Sequence, residues 1–325
     1  MTENTLTTTP QSGALAPYME SARRYARQSK APHTIAQYAS AWREFEDFAM
    51  RNGWAALPAT PSTVIAYLTS LADRGAKVST IQVKLAAIAY IHRQKKHTDP
   101  TADADVKMLM AGIRRELGTA PQKKAPLTLD NLRAIVATLP DDLRGKRDKA
   151  ILLIGWAGAF RRSELVGLDV ADLHINGKLA IKVRKSKTDQ EGKGLTKTIP
   201  PIGDKAIDPI TALKDWLTAS GVQSGPLFRR IDKWGVLHDG RLDDKTIARI
   251  VKGAAQRAGL EPVQFAGHSL RSGFITEAAG AGVEDRDIAA QTGHKSMTVL
   301  HGYIQDAGRG AMGAVKAAFG DKTQS

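Results

Sequence analysis

The 325-residue chain contains no cysteine, which excludes disulfides, thiolate zinc sites and cysteine nucleophiles. Long apolar runs are also missing. The longest, Ala150 to Phe160, is too short to span a bilayer and reads as a buried helix. The opening residues, MTENTLTTTPQSGALAP, lack a basic stretch followed by an apolar one, so no signal peptide is expected. There is no G-x-x-x-x-G-K-[ST] loop and no cluster of carboxylates for Mg²⁺, so neither metal nor ATP is implied and no cofactor is expected. Together these absences make a bacterial-type cytosolic protein the default expectation, with no membrane partner.

Positive charge is what the chain has in excess. Lys and Arg number 47 against 33 Asp and Glu, a formal net charge of +14. Such an excess attracts polyanions, of which nucleic acid is the commonest large one in a cell. The excess is shared: residues 1–125 hold 17 basic and 10 acidic residues (+7), leaving 30 and 23 (+7) for the remainder. Both halves could therefore contact one polyanion, as two arms of a clamp would. Hydrophobic residues at 42% and charged residues at 25% are otherwise those of a globular protein, and the length allows two domains with separate cores.

Residues 1–14 are polar and Thr-rich and are expected to form a disordered tail. Helical periodicity follows. Ile35, Tyr38, Trp42, Phe45 and Ala49 share a face that Asn52-Gly53 should end. Val64, Tyr67, Leu68 and Leu71 form a second stripe. Ser79 reads as the N-cap of a third helix carrying Ile81, Leu85, Ile88 and Ile91, and Val106, Leu109, Met110, Ile113 and Leu117 form a fourth. Residues 15–118 thus read as a small helical bundle. Residues 119–126 read as a linker, broken by prolines and lysines. Residues 127–325 start helical, then change texture: Val170 to Ile175, Lys178 to Arg184 and Lys197 to Ile202 resemble strands, with Asn176-Gly177 as a two-residue hairpin turn. From Ala206 onward the pattern is helical again. The expected fold is mainly α with one small antiparallel β-sheet in the second domain.

Four stretches place titratable residues inside otherwise apolar sequence: FRRSEL (160–165), RKSKT (184–188), GHSLR (267–271) and GHKSMTVLHGY (293–303). Arg161 follows the apolar run, and Glu164, three residues on, can hold its guanidinium in one orientation. His268 and Arg271 are three apart and point the same way from one helical turn, a pairing suited to an anionic phosphate. Each stretch alone has an ordinary structural reading: a paired surface arginine, a satisfied half-buried histidine, a solvated lysine, a core tyrosine with a wet hydroxyl. Their order and spacing together are what single them out.

Arg161, Lys187, His268-x-x-Arg271, His294 and Tyr303, read in that order, resemble the active-site series of the tyrosine recombinase (phage integrase) family, which includes lambda integrase, Cre and the Xer recombinases. The resemblance covers nearly the whole chain. It implies an N-terminal helical core-binding domain (SAM-like) followed by the recombinase catalytic domain. It makes Arg161, not Arg162, the catalytic arginine and Tyr303 the nucleophile, with Glu164 supporting. Lys187 is the corresponding hairpin lysine, with Lys185, Lys193 and Lys197 as neighbours. The implied reaction is site-specific recombination through a 3′-phosphotyrosyl intermediate, which keeps the phosphoryl group activated for a second DNA hydroxyl. The implied partner is double-stranded DNA with paired recombination sites, held in a homotetrameric synaptic complex. A last helical stretch, Ala307 to Gly320, could pack on its own domain or on a neighbouring protomer. Two other activities fit the composition: a non-catalytic architectural DNA-binding protein, and a type IB topoisomerase with the same nucleophile chemistry.

Overall fold

The computed structural model describes residues 15–27, 29–119, 123–184, 194–294 and 296–306. The chain divides into two compact units, Met1–Gln122 and Lys123–Ser325.

In the first unit five helices are seen: α1 (Ala16–Arg27), α2 (Pro32–Arg51), α3 (Pro61–Asp73), α4 (Val78–Gln94) and α5 (Ala104–Leu117). Helix α3 begins as its sequence dictates. The Thr60 side chain accepts the Thr63 N–H at 3.2 Å, and Pro61 fills the first turn, where its missing N–H costs nothing. The apolar stripes of α2 to α5 meet in one core containing Phe45, Tyr67, Leu68, Ile81, Ile88 and Met110. Phe45 and Tyr67 pack edge to face at 5.2 Å. His92 is buried there but fully satisfied. Its Nε2 accepts the Ala59 N–H at 2.9 Å, so Nδ1 carries the proton and donates to the Ile88 carbonyl at 2.8 Å.

The second unit is built around α7 (Leu143–Ala157), which packs against α9 (Pro209–Ser220). Helices α6 (Leu129–Ala137), α8 (Arg162–Gly167), α10 (Asp244–Arg257) and α11 (Ser269–Gly280) pack around this pair. A three-stranded antiparallel sheet runs in the order β1 (Leu173–Asn176), β2 (Lys178–Val183), β3 (Leu195–Ile199). A separate hairpin pairs β4 (Arg229–Ile231) with β5 (Leu237–Arg241). The approach of α11 to the segment before α6 requires glycine: a Cβ on Gly273 would lie 1.9 Å from the Leu127 carbonyl oxygen. That same oxygen accepts the Trp156 indole N–H at 2.8 Å. Helices α12 (Asp285–Thr292) and α13 (Met297–Asp306) close the unit through a small cluster of Ile275, Ala279, Ile288, Leu300 and Ile304.

Several local expectations differ from the structure. Helix α1 carries no apolar run strong enough to announce it. The N-cap of α4 is Lys77, not Ser79, because the helix begins two residues earlier, at Val78. Val170–Asp172 is a 3₁₀ turn, fixed by the Asp172 carboxylate accepting the Asp169 N–H, so the strand begins only at Leu173. The β1–β2 register pairs Asn176 with Lys178 and centres the turn on Gly177 (φ 64°), one residue off a two-residue Asn-Gly turn. Among the described residues there are two small antiparallel sheets rather than one. The β4–β5 hairpin falls in a region that reads as helical, and its turn is held by the Asp232 carboxylate accepting from the Trp234 and Val236 N–H groups. Residues 123–126 of the expected linker are attached at one end to the second unit, where the Ala125 N–H bonds to the Gln264 carbonyl. The expected N-terminal tail, Lys187 with its neighbours Lys185 and Lys193, and the 307–320 stretch lie outside the described residues.

Candidate active site

Helix α7 ends at Gly158, and the chain then turns sharply through Ala159, whose φ of 46° is uncommon for a residue with a Cβ. A left-handed alanine here stores strain, and it turns the Ala159 carbonyl toward the interior. Phe160 is buried, and Arg161 follows as the cap residue of α8. Glu164, 5% exposed, binds Arg161 twice: its Oε1 accepts from Nη1 at 2.6 Å and its Oε2 from the backbone N–H at 3.0 Å. The guanidinium is therefore fixed at one edge, leaving its other donors free for an anion. Arg162 takes a different course. Its stem passes under Gly267, where a Cβ would meet its Cδ at 2.4 Å, and its head lies 3.8 Å from Asp244.

Arg271 is 1% exposed in the first turn of α11. One nitrogen, Nη1, donates to the Ala159 and Thr292 carbonyls at 2.8 and 2.7 Å. The other, Nη2, donates to His294 Nε2 at 3.0 Å. Burial, reinforced by Arg161, pulls the Arg271 pKa down to about 10, opposed by Glu164, so it remains a cation at neutral pH. Its bond to His294 fixes a tautomer. Nε2 accepts, so Nδ1 carries the proton and donates to Thr292 Oγ1 at 2.8 Å, which in turn donates to the Ile288 carbonyl at 2.7 Å. Burial and the two nearby guanidiniums of Arg271 and Arg161 push the His294 pKa down to about 4, so the ring is neutral at pH 7.

Tyr303 stands on α13, whose Leu300 and Ile304 are buried on either side of it in sequence. The tyrosine hydroxyl lies 2.8 Å from His268 Nε2. Its ring centroid is 5.8 Å from His268 and 6.0 Å from His294. Lys123 donates to the Gly302 carbonyl at 3.2 Å and places its ammonium 5.9 Å from the Tyr303 ring centroid. His268 has its pKa lowered, first by desolvation and then by Arg271, Arg161 and Arg162. A neutral imidazole beside a phenol can accept its proton.

The second unit thus brings together Arg161, Glu164, His268, Arg271, His294 and Tyr303, while Lys187 lies outside the described residues. Two arginines and two neutral histidines around a tyrosine place fixed cationic and hydrogen-bonding groups beside a phenol, an arrangement chemically suited to an oxyanion. Sequence reading missed Ala159 and Thr292, whose carbonyls seat Arg271, and it named Lys197 only as a neighbour of Lys187, without its burial on β3. Lys197 did leave a signal. It occupies a position where the alternation of β3 faces the core. A separate basic cleft in this unit is lined by Arg144, Arg147, Arg230, Arg241, Arg249 and Arg257. Among the described residues no three His, Asp or Glu side chains converge as a metal site would require, and no helix is long and apolar enough to cross a membrane.

Residues 126–309 match the phage integrase family. The chain is 38% identical over 289 residues to an integrase/recombinase XerD homolog of Selenomonas ruminantium, covering 87% of this chain and 84% of the relative. It is 26% identical over 309 residues to the recombinase Cre of Escherichia phage P1, covering 88% of each. In fold it is similar to the XerH site-specific recombinase bound to a palindromic difH substrate, with a TM-score of 0.67 at 16% identity over 92% of this chain and 84% of that one. A lambda integrase dimer bound to a core site aligns with a TM-score of 0.61 at 19% identity, over 89% and 76% of the two chains.

Proposed function

The chain belongs to the phage integrase family and is a site-specific DNA recombinase, and we propose that Tyr303 is the nucleophile with which it cuts and rejoins DNA. The observation that carries this reading is the 2.8 Å contact between the Tyr303 hydroxyl and His268 Nε2, beside a buried Arg271. His268, held neutral, takes the phenolic proton as the Tyr303 oxygen attacks the scissile phosphorus. A Tyr–O–P bond forms, the bond from phosphorus to the 5′-oxygen breaks, and Lys187 returns a proton to that leaving oxygen. The 3′-phosphotyrosyl bond keeps the phosphoryl group activated until a second 5′-hydroxyl attacks and releases Tyr303.

Negative charge gathers on the non-bridging oxygens as the phosphorus becomes five-coordinate. Arg161 and Arg271 are already oriented by Glu164 and by two backbone carbonyls, so they need no rearrangement to meet that charge. Preorganised donors of this kind contribute about 3 kcal/mol each. His294 cannot donate from Nε2 while that nitrogen accepts from Arg271. Its first task is to steer the guanidinium.

Residues 15–118 form the core-binding domain in this reading, joined by 119–126 to the catalytic domain at 127–325. Both units contribute basic side chains to binding the duplex. The basic cleft beside α10 supplies phosphate contacts. Two recombination sites are paired by a homotetramer, and the protein resides on the nucleoid in the cytoplasm.

A nicked suicide substrate, which loses the attacking 5′-hydroxyl after cleavage, tests the nucleophile. Wild type accumulates a covalent protein–DNA band on a denaturing gel. Tyr303→Phe yields none while binding DNA with nearly unchanged affinity. A persistent covalent band in the variant removes Tyr303 from the role.

A further inference from the structure

A lysine on the core-facing side of a strand breaks the local pattern of the catalytic unit. Strand β3 alternates outward Thr196 and Thr198 with inward Leu195, Lys197 and Ile199, and Lys197 pairs across the sheet with Ile181, which is fully buried. Lys197 is itself 1% exposed. An apolar residue there would match the pattern. A buried ammonium with no acceptor would be strongly destabilising, so where its donors go is informative.

Its Nζ donates to the Gly158 carbonyl at 2.7 Å and to the Gln291 carbonyl at 2.6 Å. Its remaining side faces the Phe160 ring, 4.9 Å from the centroid. Those two carbonyls are the immediate chain predecessors of the pair that seats Arg271, which donates to the Ala159 and Thr292 carbonyls. A third donor extends the series: the Gln291 side-chain amide donates to the Ala157 carbonyl at 3.0 Å and to Thr198 of β3 at 3.2 Å. Residues 157–159 end α7 and residues 291–292 end α12. Both are helix C-termini, whose last carbonyls lack partners within the helix and attract cations. Lys197, Arg271 and Gln291 thus form one clamp holding two helix ends side by side.

We propose that Lys197 is a positioning residue for strand transfer, tying the β2–β3 hairpin to the two helix ends that seat Arg271. Among the described residues its Nζ bonds only to the Gly158 and Gln291 carbonyls and is enclosed by protein, so it acts through the carbonyls it holds. Lys187 lies in the sequence between β2 and β3, and β3 begins at Leu195, two residues before Lys197. The clamp therefore fixes the root of that hairpin relative to the guanidinium that meets the phosphate. A buried lysine whose pKa is lowered to about 7, chiefly by burial and further by Arg271 and Arg161, lies within the field of the same two arginines. The proposal rests on the reading of Arg271 as a phosphate ligand and of Lys187 as the proton donor.

The test is single-turnover cleavage by full-length Lys197→Met, Lys197→Arg, Gln291→Ala, Lys187→Ala and Arg271→Lys. Each is run on ordinary suicide DNA and on DNA with a 5′-bridging phosphorothiolate, whose sulfur leaves without needing a proton. DNA affinity and melting temperature are measured alongside, with rates taken where each variant is folded. Lys197→Met should bind DNA normally and cleave both substrates about 10- to 100-fold more slowly, the scale of a misplaced catalytic group. Lys197→Arg should recover most of the rate, because it restores donors to both carbonyls. Gln291→Ala should show a smaller loss in the same direction, and it carries the test if Lys197→Met does not fold. Lys187→Ala alone should be rescued by sulfur. Cleavage by Lys197→Met at the wild-type rate overturns the proposal, as does its rescue on the phosphorothiolate, which would make Lys197 the proton donor. A loss not restored in Lys197→Arg also overturns it. Full activity in Arg271→Lys would instead sink the underlying reading of the phosphate site.

Discussion

The core of residues 15–119 is sealed by rings and aliphatic chains, and its buried polar residues among those described are only Thr63, Lys84 and His92. The unit from Lys123 onward buries ten, including Arg147, Asp148, Glu164, Asp208, Lys197 and Arg271. The contrast is one of purpose. His92 in the first unit spends both ring nitrogens on its own backbone and has nothing left for a ligand. Arg271 in the second spends Nη1 on two carbonyls and directs Nη2 to His294, beside the Tyr303 ring. Burying a cation costs far more than burying a phenylalanine. Lys84 in the first unit and Arg147 in the second offset that cost with a carboxylate partner, Glu44 and Asp148, whereas Arg271 is held by carbonyls and a neutral histidine and keeps its charge for the proposed phosphate.

The sharpest way to break this comparison is to remove the buried cation. Arg271→Ala should lower cleavage by about 100- to 1,000-fold, the scale for a lost oxyanion donor. It should also lower the melting temperature, since the Ala159 and Thr292 carbonyls lose their donor. DNA affinity should fall much less, because many other basic side chains remain. Near-normal cleavage would show that the buried charge is structural only.

The opposite change belongs in the first unit. Phe45→Ala should destabilise the helical unit by about 3–5 kcal/mol, the cost of a cavity in an apolar core. Cleavage per folded, DNA-bound molecule should stay close to wild type. A chemical defect in fully bound complexes would mean the two units do not divide their roles as described.

A smaller effect sharpens the electrostatic side. His294 has a folded pKa of about 4 against an ordinary 6.5. Between those values the unfolded chain binds a proton that the folded chain does not, so stability falls as pH is lowered through that window and is unaffected above it. The difference in melting temperature between wild type and His294→Gln should be constant above pH 6.5 and should shift against wild type from pH 6.5 toward 4. A difference independent of pH would show that His294 is not held neutral.

Much of the helical framework is legible from residue spacing, because each stripe such as Ile35, Tyr38, Trp42, Phe45 and Ala49 must face something apolar. The β4–β5 hairpin is not, since strands of three and five residues leave no alternation long enough to read, and its turn depends on one carboxylate, Asp232. At the site, Arg161, His268, Arg271, His294 and Tyr303 stand out in the sequence as polar interruptions and match a family series. Their supports do not. Ala159 matters through its φ angle and its carbonyl, and Thr292 through its carbonyl and hydroxyl, so side-chain type alone announces neither. Lys197 lies among other lysines in sequence and is distinguished only by the face of β3 on which it falls.

The central claim is that the Tyr303 oxygen becomes bonded to DNA, and mapping the covalent adduct tests it most directly. Wild-type protein trapped on a nicked suicide substrate is digested with nuclease and protease, and the peptide bearing the residual nucleotide is sequenced by mass spectrometry. A single modified peptide from α13 is expected, with the added mass on Tyr303. Modification of any other residue, or an adduct of equal yield from Tyr303→Phe, would contradict it.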